Sequence, residues 1–328
     1  MNWLIYHIAS GQAFFGGVAL IIIAAFASTY STAIAKRVTV MGFLIGAIAV
    51  TISSTAIPYW YYGIASVITI AWLTSGYVKK WRRWAPFAVM GAWVIAAAIE
   101  SPYHIMPSLA PASSRSITVI GDSVTAGMGS GDKTVRWPTL LAKQHRLEVQ
   151  DISYPGETVA SALSRAKSQQ ITSPLVILEI GGNDLLGDTT SAQFSRDLDA
   201  LLTYVDAPGR QVIMFELPLP PFNHEYGRIQ RSLASRHNVK LVPKRVLLSI
   251  LAANESTIDT IHLSQAGHDR MAACVWELIR SVFPAKETAA APIPNEERSR
   301  IRPICLLGDS AGNVSGRLFA DGENGFRT

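Results

Sequence analysis

Four long apolar runs dominate the first hundred residues of the chain. A helix needs about 20 apolar residues to cross the roughly 30 Å hydrocarbon core of a bilayer, and each run reaches or approaches that length. None of the runs contains a charged side chain, and they extend over Gln12–Ile34, Val38–Ile57, Trp60–Tyr77 and Trp84–Ile99. The pattern therefore predicts an all-α transmembrane segment of about four helices in residues 1–100.

The basic residues between these runs predict how the segment is oriented. Lys36 and Arg37 separate the first two runs, and the cluster Lys79–Arg83 separates the last two. Because short loops rich in Lys and Arg stay in the cytoplasm, four spans place both clusters inside and the chain after Ile99 outside. The link Pro58–Tyr59 is short and leaves a three-span alternative, which would put the two clusters on opposite sides, against the charge rule.

The pattern changes after a Pro- and Ser-rich linker at residues 101–115. From there, short β-branched runs alternate with segments of helical spacing. This alternation is typical of a parallel sheet with right-handed crossovers, so it predicts a doubly wound α/β domain at residues 116–284. The predicted strands are 117–120, 147–153, 175–180, 211–217 and 239–242. The predicted helices are 138–145, 160–168, 192–205, 225–237, 244–251 and 265–283. Residues 285–328 show no sustained period and are expected to form a disordered tail.

Composition narrows the class of protein. Of the 328 residues, 49% are hydrophobic and 16% are charged, whereas soluble domains have about 25% charge, so a single soluble enzyme is not expected. The net charge of +5 comes from the basic clusters of the first hundred residues, so it indicates membrane topology and no nucleic acid partner. The two cysteines, Cys274 and Cys305, are too few for a disulfide framework and lack metal-ligand spacing. The oligomeric state stays unknown at this stage.

A serine lies immediately after the first predicted strand. Gly121-Asp122-Ser123 would place both a hydroxyl and the backbone N–H of the serine at a strand-to-helix turn. There the oxygen can attack a carbonyl and the N–H can stabilise the oxyanion that forms. An ordinary helix-capping serine fits the same triplet, and the triplet recurs as Gly308-Asp309-Ser310. The triplet alone therefore leaves both interpretations open.

Three further polar motifs come at comparable places. Gly156 follows the second strand and Asn183 follows the third, so both can donate hydrogen bonds into the crevice beyond the strands. Asp259 precedes His262 by three residues, a spacing that lets the carboxylate hold the imidazole. Each motif alone also fits a turn, a cap or a polar loop. Together with Ser123 they form a complete set for acyl transfer, with no metal or cofactor needed.

These motifs resemble the four motif blocks of the SGNH (GDSL-type) hydrolase family. The stretches 121–127 and 178–184 are most similar to the bacterial thioesterase I/lysophospholipase branch, and the resemblance covers about Ser116–Phe283. It implies a flavodoxin-like doubly wound sheet. It also implies a catalytic triad of Ser123, His262 and Asp259, and an oxyanion hole made by the N–H groups of Ser123 and Gly156 and by the Asn183 side chain. Val124 and Leu263 depart from the family pattern without removing a chemical group.

The predicted function follows from the two halves of the chain. We expect a membrane-anchored serine esterase or lipase-type hydrolase that cleaves carboxylic esters or thioesters through an acyl-enzyme. Its substrates would be small molecules, lipids or acylated glycans on the periplasmic or cell-surface side of the membrane. Two alternatives remain: an O-acyltransferase acting on envelope glycans, and a catalytically inactive envelope-binding protein. The apolar runs lack the polar path that a transferase of this kind needs, and the complete set of site residues argues against an inactive protein.

Overall fold

Two regions of different secondary structure follow one another along the chain, an apolar helical bundle and an α/β domain. The computed structural model describes residues 3–77, 80–129, 133–259 and 261–283, all of which belong to one compact unit. The predicted tail at 285–328, with Cys305 and Gly308-Asp309-Ser310, lies outside the described residues.

Five helices make up the first region. Gly11, with φ 83°, separates the first two, and they meet at a bend of 85°. Each of the other four helices overlaps one of the predicted apolar runs, and an extended segment from Ser53 to Pro58 joins the third to the fourth. The third helix begins at Ala33 and so includes Lys36 and Arg37, which were expected to lie between two runs. The helices are α1 Trp3–Ala9, α2 Gln12–Ala27, α3 Ala33–Ile52, α4 Tyr59–Thr74 and α5 Ala85–Glu100.

The number of helices able to cross a membrane is smaller than the four predicted. By length and composition alone, two helices qualify, Ala33–Ile52 and Ala85–His104, and a third is reached if the bent pair α1 and α2 counts as one span. The reason is length. Helices α2 and α4 have 16 residues each, which is about 24 Å at 1.5 Å per residue and less than the roughly 30 Å of a hydrocarbon core.

Helices α2 and α3 pack closely where glycines face each other. A Cβ built on Gly17 would lie 2.7 Å from the carbonyl oxygen of Gly46, and a Cβ on Gly46 would lie 2.7 Å from that of Gly17. Small residues of this kind let membrane helices approach backbone to backbone. The outward faces carry large exposed apolar side chains, among them Leu44, Ile48 and Val67.

The second region is a five-stranded parallel sheet with the order β2-β1-β3-β4-β5. This confirms the doubly wound α/β fold. The central strand β3 is buried at every position, which explains its nearly uninterrupted apolar sequence. The strands are β1 Ser116–Gly121, β2 Glu148–Asp151, β3 Leu175–Glu179, β4 Gln211–Phe215 and β5 Lys240–Val242.

Helices cover both faces of this sheet, and two short ones were not predicted from the sequence. Helices α6 and α9 begin directly at the ends of β1 and β3, where the motif residues lie. The predicted final helix stops at Ile279 and continues as a 3-10 turn over Arg280–Val282. The helices are α6 Ser123–Ala126, α7 Trp137–His145, α8 Val159–Lys167, α9 Gly182–Leu186, α10 Ser191–Val205, α11 His224–Arg236, α12 Lys244–Ala252 and α13 Gln265–Ile279.

The helical bundle contacts the α/β domain at the carboxyl edge of the sheet. The N–H of Leu219, in the connection after β4, donates to the Ser54 hydroxyl at 3.0 Å. His224 Nε2 lies 2.6 Å from the carbonyl oxygen of Ser53, and Lys244, directly after β5, donates to the Ser54 carbonyl. The segment between α3 and α4 therefore lies against the edge where the strands end.

Candidate active site

Ser123 is the first residue of α6 and stands at the carboxyl end of β1. Asp122 caps this short helix, because its Oδ1 accepts a hydrogen bond from Val124 N–H at 3.0 Å. The cap turns the chain sharply after the strand and leaves the serine half-buried at the edge of the sheet.

His262 reaches this serine from the connection between α12 and α13. Its Nε2 lies 3.1 Å from Ser123 Oγ, and its Nδ1 lies 2.6 Å from Asp259 Oδ2. The same carboxylate accepts the backbone N–H groups of Ile261 at 3.0 Å and His262 at 2.9 Å. The backbone and side-chain hydrogen bonds from His262 hold the pKa of Asp259 well below its usual range. Asp259 therefore stays ionised and fixes the orientation of the ring.

The two remaining predicted residues approach the same place from β2 and β3. Gly156 has φ 77°, a left-handed backbone conformation that favours glycine. A Cβ at this position would meet nothing within 4 Å, so lack of space is not the reason for the glycine. Asn183 Nδ2 donates to the carbonyl oxygen of Glu157 at 2.9 Å and lies 3.5 Å from Asp122 Oδ2. Asn183 Nδ2 thus makes one short hydrogen bond and one long, weak contact.

Buried acids below the serine are a feature that the sequence reasoning missed. Burial raises the pKa of Asp122 to about 6 and raises the pKa of Glu179 well above its ordinary value, with the nearby Asp122 charge adding to the effect. Thr125 donates to Glu179 Oε2 at 2.8 Å and accepts from Trp137 Nε1 at 3.2 Å. The sequence did contain a signal for these buried acids, because Glu179 is the one acidic residue in the otherwise apolar strand β3.

Other polar residues of the region have structural contacts. Glu157 pairs with Arg165 at 2.5 Å at the start of α8, and Asp184 accepts the N–H of Val159 at 2.8 Å. His268 is buried and its Nδ1 accepts from Trp137 N–H at 3.3 Å. Among the described residues, no group of three or more His, Cys, Asp and Glu side chains could hold a metal ion.

The sequence profile of the GDSL-like lipase/acylhydrolase family matches residues 119–270. Esterase TesA of Pseudomonas aeruginosa is 27% identical over 186 residues, covering 52% of this chain and 91% of the relative. The arylesterase of Vibrio mimicus is 28% identical over 148 residues, covering 42% of this chain and 74% of the relative. Thioesterase 1/protease 1/lysophospholipase L1 of Escherichia coli K12 is 27% identical over 150 residues, covering 43% of this chain and 72% of the relative.

A crystal structure of TesA is also similar to this chain. The two are 27% identical and superpose with a TM-score of 0.45, over 51% of this chain and 99% of the TesA chain. The parallel sheet and the profile match define a hydrolase domain of the SGNH class. Residues 119–270 carry the match to the GDSL-like lipase/acylhydrolase family, and the helices before residue 105 lie outside the matched range.

Proposed function

We propose that this chain is a membrane-anchored serine hydrolase of carboxylic esters or thioesters, with Ser123 as nucleophile, His262 as base and Asp259 as the residue that orients the base. The observation that carries the proposal is the chain of contacts from Ser123 Oγ to His262 Nε2 at 3.1 Å and from His262 Nδ1 to Asp259 Oδ2 at 2.6 Å. Three groups in this order are the arrangement that activates a serine hydroxyl.

The first half of the reaction forms an acyl-enzyme. Ser123 Oγ attacks the ester carbonyl while His262 Nε2 takes the hydroxyl proton, and the ionised Asp259 stabilises the imidazolium. The negative charge on the carbonyl oxygen is received by the N–H groups of Ser123 and Gly156 and by the Asn183 amide. Asn183 is oriented for this role because Glu157 holds one of its amide hydrogens. His262 then gives its proton to the leaving alcohol or thiol, and the C–O or C–S bond breaks to leave the acyl-enzyme.

The second half of the reaction releases the acid. A water molecule then attacks the acyl-enzyme, and the same imidazole accepts its proton before returning it to Ser123.

The arrangement of charges supports an extracytoplasmic hydrolase domain. Lys36 and Arg37 lie in the first turns of α3, and Arg82 and Arg83 lie in the α4–α5 connection. Both clusters are at the ends of the helices opposite to Ser54, where the bundle contacts the hydrolase domain. Because short basic loops stay in the cytoplasm, the hydrolase domain belongs on the other side.

Replacing the nucleophile tests the proposal. In the detergent-solubilised full chain, Ser123→Ala should abolish labelling by a fluorescent fluorophosphonate and lower hydrolysis of 4-nitrophenyl butyrate by up to ~10⁶-fold, because no other group forms the acyl-enzyme. The matched control is Ser232→Ala, an exposed position on α11, which should behave as wild type. Labelling that persists in Ser123→Ala, or a folded wild-type chain that neither labels nor hydrolyses, would contradict the proposal.

A further inference from the structure

Large apolar side chains surround the candidate active site and are exposed to solvent. Among the described residues of 116–283, every large hydrophobic side chain that is exposed lies either in a connection leaving the carboxyl end of a strand or beside the Asp259–His262 pair. We call this set the apolar rim. Its members are Met128, Val135, Tyr154, Leu186, Phe222, Ile258 and Ile261.

The opposite edge of the sheet has a different surface. There, the connections that enter the strands expose polar side chains such as Gln169, Gln170, Asp206 and Asn238. Single exposed apolar residues are ordinary on a protein surface, but a concentration of them on one side marks an interaction site. The asymmetry therefore indicates that the carboxyl edge, and not the whole domain, contacts an apolar partner.

The position of the helical bundle shows where that partner lies. The bundle contacts this same edge through Ser53 and Ser54, which bond to groups following β4 and β5. The candidate spans α3 and α5 both end here, so their long axes lead away from the edge toward the other side of the membrane. The membrane surface from which these helices emerge therefore faces the carboxyl edge of the sheet, where Ser123 lies.

Helix α1 lies at the same level. It turns away from α2 by 85°, contacts α12 of the hydrolase domain, and exposes Trp3, Leu4 and Ile5. A short helix with exposed Trp and aliphatic side chains, nearly perpendicular to a spanning helix, is typical of the bilayer interface. The N–H of Ser54 donates to the Ile8 carbonyl oxygen at 3.0 Å, so the end of α1 lies beside the segment that contacts the carboxyl edge.

A cavity lies between the helical bundle and Phe222 of the apolar rim. Its volume is about 470 Å³, and its walls include Val50, Ile70 and Leu73 of the bundle together with Phe222 of the rim. A space of this size and polarity accommodates an acyl chain. The cavity thus extends from the apolar side chains of the bundle to Phe222, one member of the apolar rim.

We propose that the apolar rim lies on the outer surface of the bilayer, so that Ser123 receives long-chain acyl lipids directly from the membrane plane. This inference rests on the proposed function, because it assumes that Ser123 cleaves esters in a membrane-anchored chain. The occupant of the rim is the lipid surface. A soluble protein partner or a second copy of the chain would instead leave the rim shielded from lipid.

Fluorescence quenching tests the contact with lipid. The full chain with Cys305→Ser would carry a nitrobenzoxadiazole probe on Leu186→Cys, in vesicles of phosphatidylethanolamine and phosphatidylglycerol; Cys274 is buried. Brominated acyl chains should quench this probe, whereas the same probe on Gln170→Cys, at the opposite edge, should stay unquenched. Equal quenching at the two positions, or no quenching at Leu186, would overturn the proposal. The absence of quenching at Leu186 is also the result expected if a soluble protein or a second copy of the chain covers the rim.

Activity gives a second and separate readout. Met128→Asp and Leu186→Asp together should slow hydrolysis of a long-chain ester embedded in vesicles by at least about tenfold, because the rim would no longer bury two large apolar side chains in the lipid surface. Hydrolysis of water-soluble 4-nitrophenyl butyrate, which needs no contact with lipid, should fall by a much smaller factor, and Gln170→Asp should leave both rates as in wild type. An equal loss on both substrates would overturn the proposal for the rim. Failure of the proposed function would show differently, as activity that persists in Ser123→Ala.

Discussion

At the scale of single residues, the candidate site combines a partly exposed Asp–His hydrogen bond with a pair of buried acids. Asp259 and His262 are partly open to solvent, so the strength of their contact comes from the hydrogen bonds to one carboxylate and not from burial. Asp122 and Glu179 lie underneath and are almost fully buried. Burial in a medium of low dielectric raises the pKa values of both groups, and the nearby Asp122 charge raises the pKa of Glu179 further.

This buried pair makes stability depend on pH. A carboxyl group whose pKa is higher in the folded chain keeps its proton at pH values where the unfolded chain has already lost it. The free energy of unfolding therefore falls as the pH rises from about 4 through the pKa of the folded chain, which is about 6 for Asp122. Glu179→Gln should remove part of this loss. At pH 8 the variant should have a higher thermal midpoint than wild type, and the difference should shrink at pH 4.

Thermal unfolding of the detergent-solubilised full chain between pH 4 and pH 8 measures this effect. The control is Glu148→Gln, an exposed carboxyl on β2, which should leave the pH dependence as it is. A Glu179→Gln variant that is less stable than wild type at pH 8 would show that the buried carboxyl is ionised and paired in the folded chain.

At the scale of elements, helix packing in the bundle depends on small residues. Helices α2 and α3 come so close at Gly17 and Gly46 that neither position has room for a Cβ. Without a strong hydrophobic driving force between helices in lipid, close van der Waals contact of this kind is what holds them together.

Gly17→Leu should therefore separate α2 from α3. Its Cβ would lie 2.7 Å from the Gly46 carbonyl oxygen and 2.9 Å from Val50 N, both backbone atoms that cannot move aside. We expect a loss of about 1–3 kcal/mol or more, typical of overpacking, seen as a lower thermal midpoint in detergent. Gly63→Leu on α4, where a Cβ would meet nothing within 4 Å, is the matched control. Equal midpoints for the two variants would contradict the close contact.

At the scale of the whole molecule, a buried cluster of charges joins the bundle to the hydrolase domain. Arg231 of α11 pairs with Glu100 at the end of α5 through both terminal nitrogens, at 2.6 and 2.8 Å, and with Glu216 through Nε at 2.6 Å. Lys244 lies 3.6 Å from Glu216. All four side chains are buried, and two positive charges balance two negative ones.

Breaking this balance should destabilise the chain. Glu100→Gln leaves a buried positive charge without its partner, which typically costs about 3–5 kcal/mol. Arg231→Gln should cost a similar amount, because Glu100 and Glu216 then face only Lys244. The double variant keeps the pair of Glu216 and Lys244, so its thermal midpoint should fall by less than the sum of the two single changes. Additive losses would indicate that the two residues act independently.

Local structure and the kinds of chemical group at the site follow from the amino-acid sequence alone. Hydrophobic spacing along the chain places the apolar helices and the alternating strands and helices, because periodicity is a local property. The same reasoning identified Ser123, Gly156, Asn183, Asp259 and His262 as residues that follow strands or precede the last helix. It overestimated the number of spans, because residues that are apolar but belong to turns lengthened the runs beyond the helices themselves.

Which distant residues become neighbours follows only from the packing of the tertiary structure. Ser123 and His262 are 139 positions apart, and Glu100 and Arg231 are 131 apart, so their distances depend on how layers pack and not on spacing. The same holds for the raised pKa of Glu179, which follows from burial among neighbours from other elements. The apolar rim emerges only when five separate connections meet at one edge, because the fold brings the carboxyl ends of parallel strands together.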